Sequence, residues 1–190
     1  FGAPLKALAG YLPPIESQDF VVWNTRSGSM PSAGPVSQVN ENKYGLEMPL
    51  GLSGYFNLDE GLAAAKETGK PVFVDITGHG CVNCREMEQR VWSDPHVLEI
   101  LRNDYILVAL YTDDKTKLPE SEWVTAENGK VLKDMGRINS YVARNRFGVN
   151  AQPNYVLLSP DGAQLMPIRG YNLDVDGFIE FLKSGLEKMD

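Results

Sequence analysis

Two short runs of β-forming residues, "VFVDI" at 72–76 and "YILVALY" at 105–111, flank a stretch rich in helix formers, and this spacing constrains the fold most. Each run suits a strand buried on both faces. Between them, "CREMEQRVW" carries no helix breaker, and "SDPHVLEILRN" offers a fresh cap at Asp94 with Pro95 at the first helical position. Strand, helical connection and strand join in parallel through a right-handed crossover.

The flanking signals agree with a layered α/β unit. Asn57 and Glu60 are spaced as the cap and third residue of a helix that runs through "LDEGLAAAKET" to Gly69, a C-terminal stop. Met135, Ile138, Tyr141 and Val142 predict a helix over 133–147. "NYVLLS", the turn "PDG" and "AQLMPIRG" read as a β-hairpin. A final amphipathic helix carries Val175, Phe178, Ile179, Leu182 and Leu186 on one stripe, enough to cover a sheet face. Polar residues 113–132, ending in "ENGK", read as an insertion of loop or hairpin character. The expected fold is α/β, a central mixed sheet flanked by helices.

Residues 1–53 differ, being rich in Pro, Gly, Ser and Asn. They are expected to be an extended linker ahead of a domain at 54–190, although Phe20–Trp23 could add a strand or dock on it. With 190 residues the chain accommodates one well-buried core and an appendage. A net charge of -7 without a Lys/Arg cluster argues against nucleic acid as a partner. "FGAPLKALAGYLPP" is too short and too proline-interrupted to span a bilayer and lacks a signal-peptide pattern. Phe1 in place of Met suggests a fragment or a processed chain.

Both cysteines fall in "GHGCVNCRE", at the start of the helix that follows the first strand. Cys81 at that helix end would face unsatisfied N–H groups and the positive end of the dipole, which favours thiolate and pulls its pKa below the free value of about 8.5. Cys84, one turn further in, is placed to resolve a mixed disulfide on Cys81. Other readings stay open. His79, Cys81 and Cys84 could hold copper or zinc, though a second Cys pair is missing and the other histidine is His96. Haem attachment needs His where Arg85 stands. A passive bridge is compatible with the spacing, although so small a loop adds little stabilisation. Far along the chain, Pro153 precedes "NYVLL" and is compatible with a cis bond in a tight loop.

"KPVFVDITGHGCVNCREME", the Ser-Asp-Pro segment after it and "FGVNAQPNYVLLSPDG" together resemble a thioredoxin-fold domain. They are most similar to the C-terminal periplasmic domain of DsbD-type transmembrane thiol:disulfide interchange proteins. The resemblance spans about 54–190, and the opening "FGAPLKALAGYLPP" is similar to the stretch leaving the last membrane helix in such proteins.

The resemblance implies that Cys81 is an exposed nucleophile and Cys84 its buried partner. Asp75 and Glu88 match two acids beneath the site, able to disfavour the Cys84 thiolate or relay its proton. Asp75 inside a buried strand needs a reason, whereas Glu88 on a helix would ordinarily be solvated. Gln152 and Pro153 match a cis-proline loop whose backbone pairs with an extended partner strand. Gly80 and His79 depart from the family, which commonly has Trp before the first cysteine. His79 when protonated would stabilise the thiolate, or simply face solvent.

The implied function is a protein-disulfide reductase relay, without metal or organic cofactor, with roles in redox homeostasis and cytochrome c biogenesis. Its electrons would come from the chain's own transmembrane segment and pass to periplasmic disulfide proteins. The domain would be periplasmic, tethered to the inner membrane, and monomeric when isolated. A disulfide oxidase or isomerase, or a copper- or zinc-binding module, are the alternatives.

Overall fold

A computed structural model describes residues 43–189. The Phe20–Trp23 run lies outside the described residues. Helix α1, Leu58–Thr68, begins where the Asn57 side chain accepts the N–H groups of Asp59 and Glu60 at 2.8 and 3.2 Å. It stops at Gly69, whose φ of 70° is left-handed.

Strand β1, Val72–Thr77, occupies the middle of the sheet. It pairs in parallel with β2, Ile106–Tyr111, and antiparallel with β5, Asn154–Leu158. The two-residue β6, Arg169–Gly170, closes the order β2-β1-β5-β6. The expected β-hairpin is therefore present, but its return strand is interrupted. Gln164 pairs with Leu158, and pairing resumes only at Arg169 opposite Tyr155. Pro167 stands in the gap, where it has no N–H to donate.

The connection between β1 and β2 is helical as expected, with one difference. Helix α2, Val82–Met87, runs into a wide π turn over Glu88–Trp92, marked by the Ser93 N–H on the Glu88 carbonyl at 3.1 Å. The widened turn buries Glu88, Val91 and Trp92 together. Helix α3, Pro95–Asp104, starts on the Asp94 cap. After β2 the polar insertion forms a small hairpin of β3, Val124–Thr125, and β4, Val131–Leu132. Helices α4, Met135–Phe147, and α5, Val175–Glu187, follow, capped by Asp134 and Asp174.

Strand alternation sorts the core into two layers. Phe73, Leu107, Ala109, Tyr155 and Leu157 pack with Met87, Trp92, Leu101, Phe178 and Leu182 of α2, the π turn, α3 and α5. Val72, Val74, Ile76, Val108 and Val156 face the other way, against Leu58 and Ala65 of α1 and Ala143 of α4. Tyr105 fastens α5 by donating to the Leu182 carbonyl at 2.6 Å. Among the described residues no helix is long and apolar enough to cross a membrane.

Residues 43–53, grouped by composition with the linker, contribute to this core. Met48 and Leu52 are buried in it, and Tyr55 extends the sheet by bonding Leu107 and Ala109 at 2.8 and 2.9 Å along the outer edge of β2. Lys43 pairs with Glu60 and Glu122 at 3.0 and 2.7 Å, and the Tyr44 hydroxyl donates to Glu122 at 2.8 Å.

Helix α4 crosses the end of β2 at Gly136, whose N–H donates to the Asp114 carbonyl at 2.9 Å. A methyl group there would come within 2.4 Å of that oxygen and 2.9 Å of the Thr112 carbonyl. Gly136→Ala is expected to cost about 1–3 kcal/mol of stability, read by urea denaturation. Unchanged stability would contradict the close backbone contact.

Candidate redox-active site

Strand β1 ends at Thr77, and the turn Gly78-His79-Gly80 hands the chain to α2. Cys81 is the N-cap of α2 and Cys84 lies in its first turn, so two side chains three residues apart meet on one face. They are joined by a disulfide with S–S 2.06 Å. The Cys84 N–H donates to Cys81 Sγ at 3.2 Å, which gives that sulfur a backbone donor. Cys81 is 7% exposed and Cys84 2%. The order matches expectation, but Cys81 is not the open nucleophile that the sequence reading implied. Val82 between them is 79% exposed.

Asp75 belongs to the same sheet face as Phe73, the face that α2 covers, and is 3% exposed. Its Oδ1 has no hydrogen-bond partner among the described residues. Burial pushes its carboxyl well above the ordinary carboxylate value; the nearby Glu88 charge adds to the rise and Arg85 opposes it. Glu88 is buried rather than solvated as a helix surface position would be. The π turn buries it, and burial raises its pKa against the opposing Arg85 charge. Arg85 Nη1 meets Glu88 Oε2 at 3.1 Å, while Nη2 reaches Thr77 Oγ1 and the Gly78 carbonyl at 3.3 and 3.4 Å. Arg85, which stands where haem attachment needs His, instead ties Glu88 to the end of β1.

Above the disulfide, the turn is clasped by residues that sequence reasoning missed. Asp113 Oδ1 accepts the His79 N–H at 2.8 Å and its Oδ2 accepts the Gly80 N–H at 2.9 Å. His79 Nε2 lies 2.7 Å from Asp114 Oδ2, and its ring stacks on Tyr111 with centroids 4.4 Å apart. His79 is therefore a held, half-exposed side chain rather than a free loop histidine. The available signal was the pair of carboxylates in "YTDD", directly after a strand parallel to the one carrying the cysteines.

Gln152 and Pro153 reach the same place from β5. The Gln152–Pro153 peptide is cis. The Thr112 hydroxyl donates to Gln152 Oε1, and the Gln152 amide presses on Gly78, where a Cβ would lie 2.5 Å from Nε2. Gln152 thus meets the cysteine turn at Gly78, the residue whose carbonyl accepts the Cys81 N–H at 3.2 Å. Among the described residues no three His, Cys, Asp or Glu side chains are arranged to hold a metal ion. His96 sits apart from the turn, paired with Asp94 at 3.4 Å.

A family model described as a thioredoxin-like domain matches residues 58–185. The thiol:disulfide interchange protein DsbD 2 of Pseudomonas aeruginosa is 30% identical over 132 residues, 69% of this chain and 19% of its own length. A structure of a DsbH oxidoreductase superposes with a TM-score of 0.54 at 18% identity, over 76% of this chain and 92% of the other. A thioredoxin from Thermus thermophilus gives 0.52 at 24% identity, over 72% and 88%. These two structures speak to the fold alone. The chain spans between 9% and 19% of the length of the curated relatives that it matches.

The raised Asp75 pKa has a sign that can be checked. The folded protein keeps this proton where the unfolded chain, with a value of about 3.9, has lost it. Its stabilising contribution is full below that value and is lost as pH rises through the folded one. Asp75→Asn is therefore expected to be more stable than the parent at pH 8, by about 1–3 kcal/mol, with the gap shrinking toward pH 4. Urea denaturation at the two pH values measures it, and an equal gap at both would contradict a buried titration.

Proposed function

Since this chain belongs to the thioredoxin-like domain family, we propose that Cys81 and Cys84 form a thiol:disulfide exchange centre that works as a reductase. The observation that carries the reading is a Cys81–Cys84 disulfide at a strand-to-helix junction, on a helix that packs against the sheet face where the Asp75 carboxyl is buried with a partnerless oxygen. A passive bridge has no use for such an acid.

In the reduced protein the Cys81 thiolate attacks an acceptor disulfide, forming a mixed disulfide and expelling one acceptor thiolate. Cys84 gives up its proton, attacks Cys81 Sγ and releases the second acceptor thiolate. Two electrons leave the dithiol, and the Cys81–Cys84 disulfide remains. Asp75 and Glu88 are the groups suited to hold the Cys84 proton, because burial raises both carboxyl pKa values above the ordinary carboxylate value. Gly80, His79, Gln152 and Pro153 form the rim that meets the acceptor, and the Pro153 loop offers backbone to an extended segment.

The wider setting follows the DsbD relatives. Of residues 1–53, the part ahead of Lys43 would serve as a linker from a transmembrane electron donor, with 43–53 joining 54–190 as the domain. The domain would work in the periplasm, tethered to the inner membrane, on disulfide proteins there.

An equilibrium redox titration tests the direction. A potential near the thioredoxin end, about -270 mV, is expected, and one near about -120 mV would make the centre an oxidant. Cys81→Ser is expected to abolish reduction of a disulfide substrate, and Cys84→Ser to accumulate mixed disulfides visible on non-reducing gels. Full turnover in the Cys84→Ser protein would overturn the resolving role.

A further inference from the structure

Two departures from the family pattern, the "HG" before Cys81 and the insertion beginning at Asp113, form one structure. His79 is held at three points: its N–H by Asp113, its Nε2 by Asp114 and its ring face by Tyr111. Gly80, the residue before Cys81, gives its N–H to the same Asp113 carboxylate. Asp114 is in turn steadied by the Thr116 N–H on its Oδ1 at 2.8 Å. An ordinary solvent loop would need none of this.

We propose that Asp113 is a positioning residue of the redox centre, which fixes the turn before Cys81 and keeps the couple reducing by setting a fixed negative charge beside it. The inference rests on the exchange reading above. Burial works against the Asp113 charge, but the Gly80 and His79 amides outweigh it and hold the carboxyl below its usual value, so it is ionised at neutral pH. A carboxylate next to a thiol disfavours the thiolate. The same carboxylate occupies two amides that would otherwise be free to donate to a thiolate. Both effects destabilise the reduced form and lower the reduction potential. The other titratable and charged groups around the turn are His79 within it, Asp75 on β1, Tyr111 on β2, Arg85 and Glu88 on α2 and the π turn, and Asp114. On the outer flank, Glu86 is bonded to Arg90 and Tyr171. Arg85 is committed to Glu88 and Thr77. Asp113, unlike any of these, bonds the amide next to Cys81.

The test uses the 190-residue chain with Asp113→Ala, Asp113→Asn and Asp113→Glu. Two readouts are taken: the Cys81 thiolate titration by ultraviolet absorbance, and the equilibrium with a glutathione buffer. Asp113→Ala is expected to lower the Cys81 pKa. It should also shift the equilibrium about tenfold toward the dithiol, equivalent to about 30 mV. Asp113→Asn, which keeps the shape and one acceptor, should move both in the same direction by less, and Asp113→Glu should return toward the parent. If Asp113→Ala does not fold, Asp113→Asn decides. A folded neutral variant with altered thermal stability but parental thiolate titration and equilibrium would overturn the proposal. A parent protein whose cysteines do not cycle would instead overturn the exchange reading, before any variant is compared.

Discussion

The parallel pairing of β1 with β2 is the constraint on which the site depends. Its register sets Thr77 beside Tyr111, so both chains leave the sheet at the same end. β5 runs the other way and begins there, with Asn154 opposite Ile76. Three loops therefore converge without any long excursion: the cysteine turn, the carboxylate pair after β2 and the Gln152–Pro153 approach. Thr112 joins them, with its N–H on the Thr77 carbonyl at 2.9 Å and its hydroxyl on Gln152. Helix α4 adds Asn139 on the Tyr111 carbonyl and Ser140 on that of Thr112, at 3.0 and 3.1 Å. Open α/β sheets generally place their chemistry at this end of the strands.

The same sheet explains how a buried acid can be tolerated. Two residues before Asp75, Phe73 sits among Trp92, Tyr155 and Phe178, with ring centroids 5.4 to 6.2 Å away. That wall excludes water and lowers the local dielectric, which raises the cost of a charge on Asp75. Arg85 is the partial offset, held close by Glu88 and by the end of β1. A proton on Asp75 is thus kept by packing rather than by a dedicated hydrogen bond.

Much of this was legible in the chain. The caps at Asn57 and Asp94, the two buried strands and the apolar stripe of α5 are short-range signals, and they mark elements that formed as expected. Asp75 stood out because a carboxylate inside "VFVDI" has no surface to go to. What escaped was long-range. Met48 and Leu52 lie singly among prolines and glycines, so no periodicity marks them as core. Asp113 and Asp114 look like the start of a solvated loop until the β1–β2 register brings them against the cysteine turn, 33 to 35 residues away. The π turn after Met87 has no breaker to announce it, and without it Glu88 would be judged exposed.

Val82 is an apolar group that the fold leaves uncovered. It is the most exposed large apolar side chain among the described residues, and it stands between two cysteines that are themselves nearly closed to water. Its isopropyl group is open to solvent in the helix turn that carries both sulfurs. A partner with an apolar recess gains about 1.5 kcal/mol by covering it, roughly tenfold in encounter-complex population. Small hydrophilic disulfides gain nothing there. An apolar side chain left open on the turn between the cysteines thus rewards an apolar cover over a polar one.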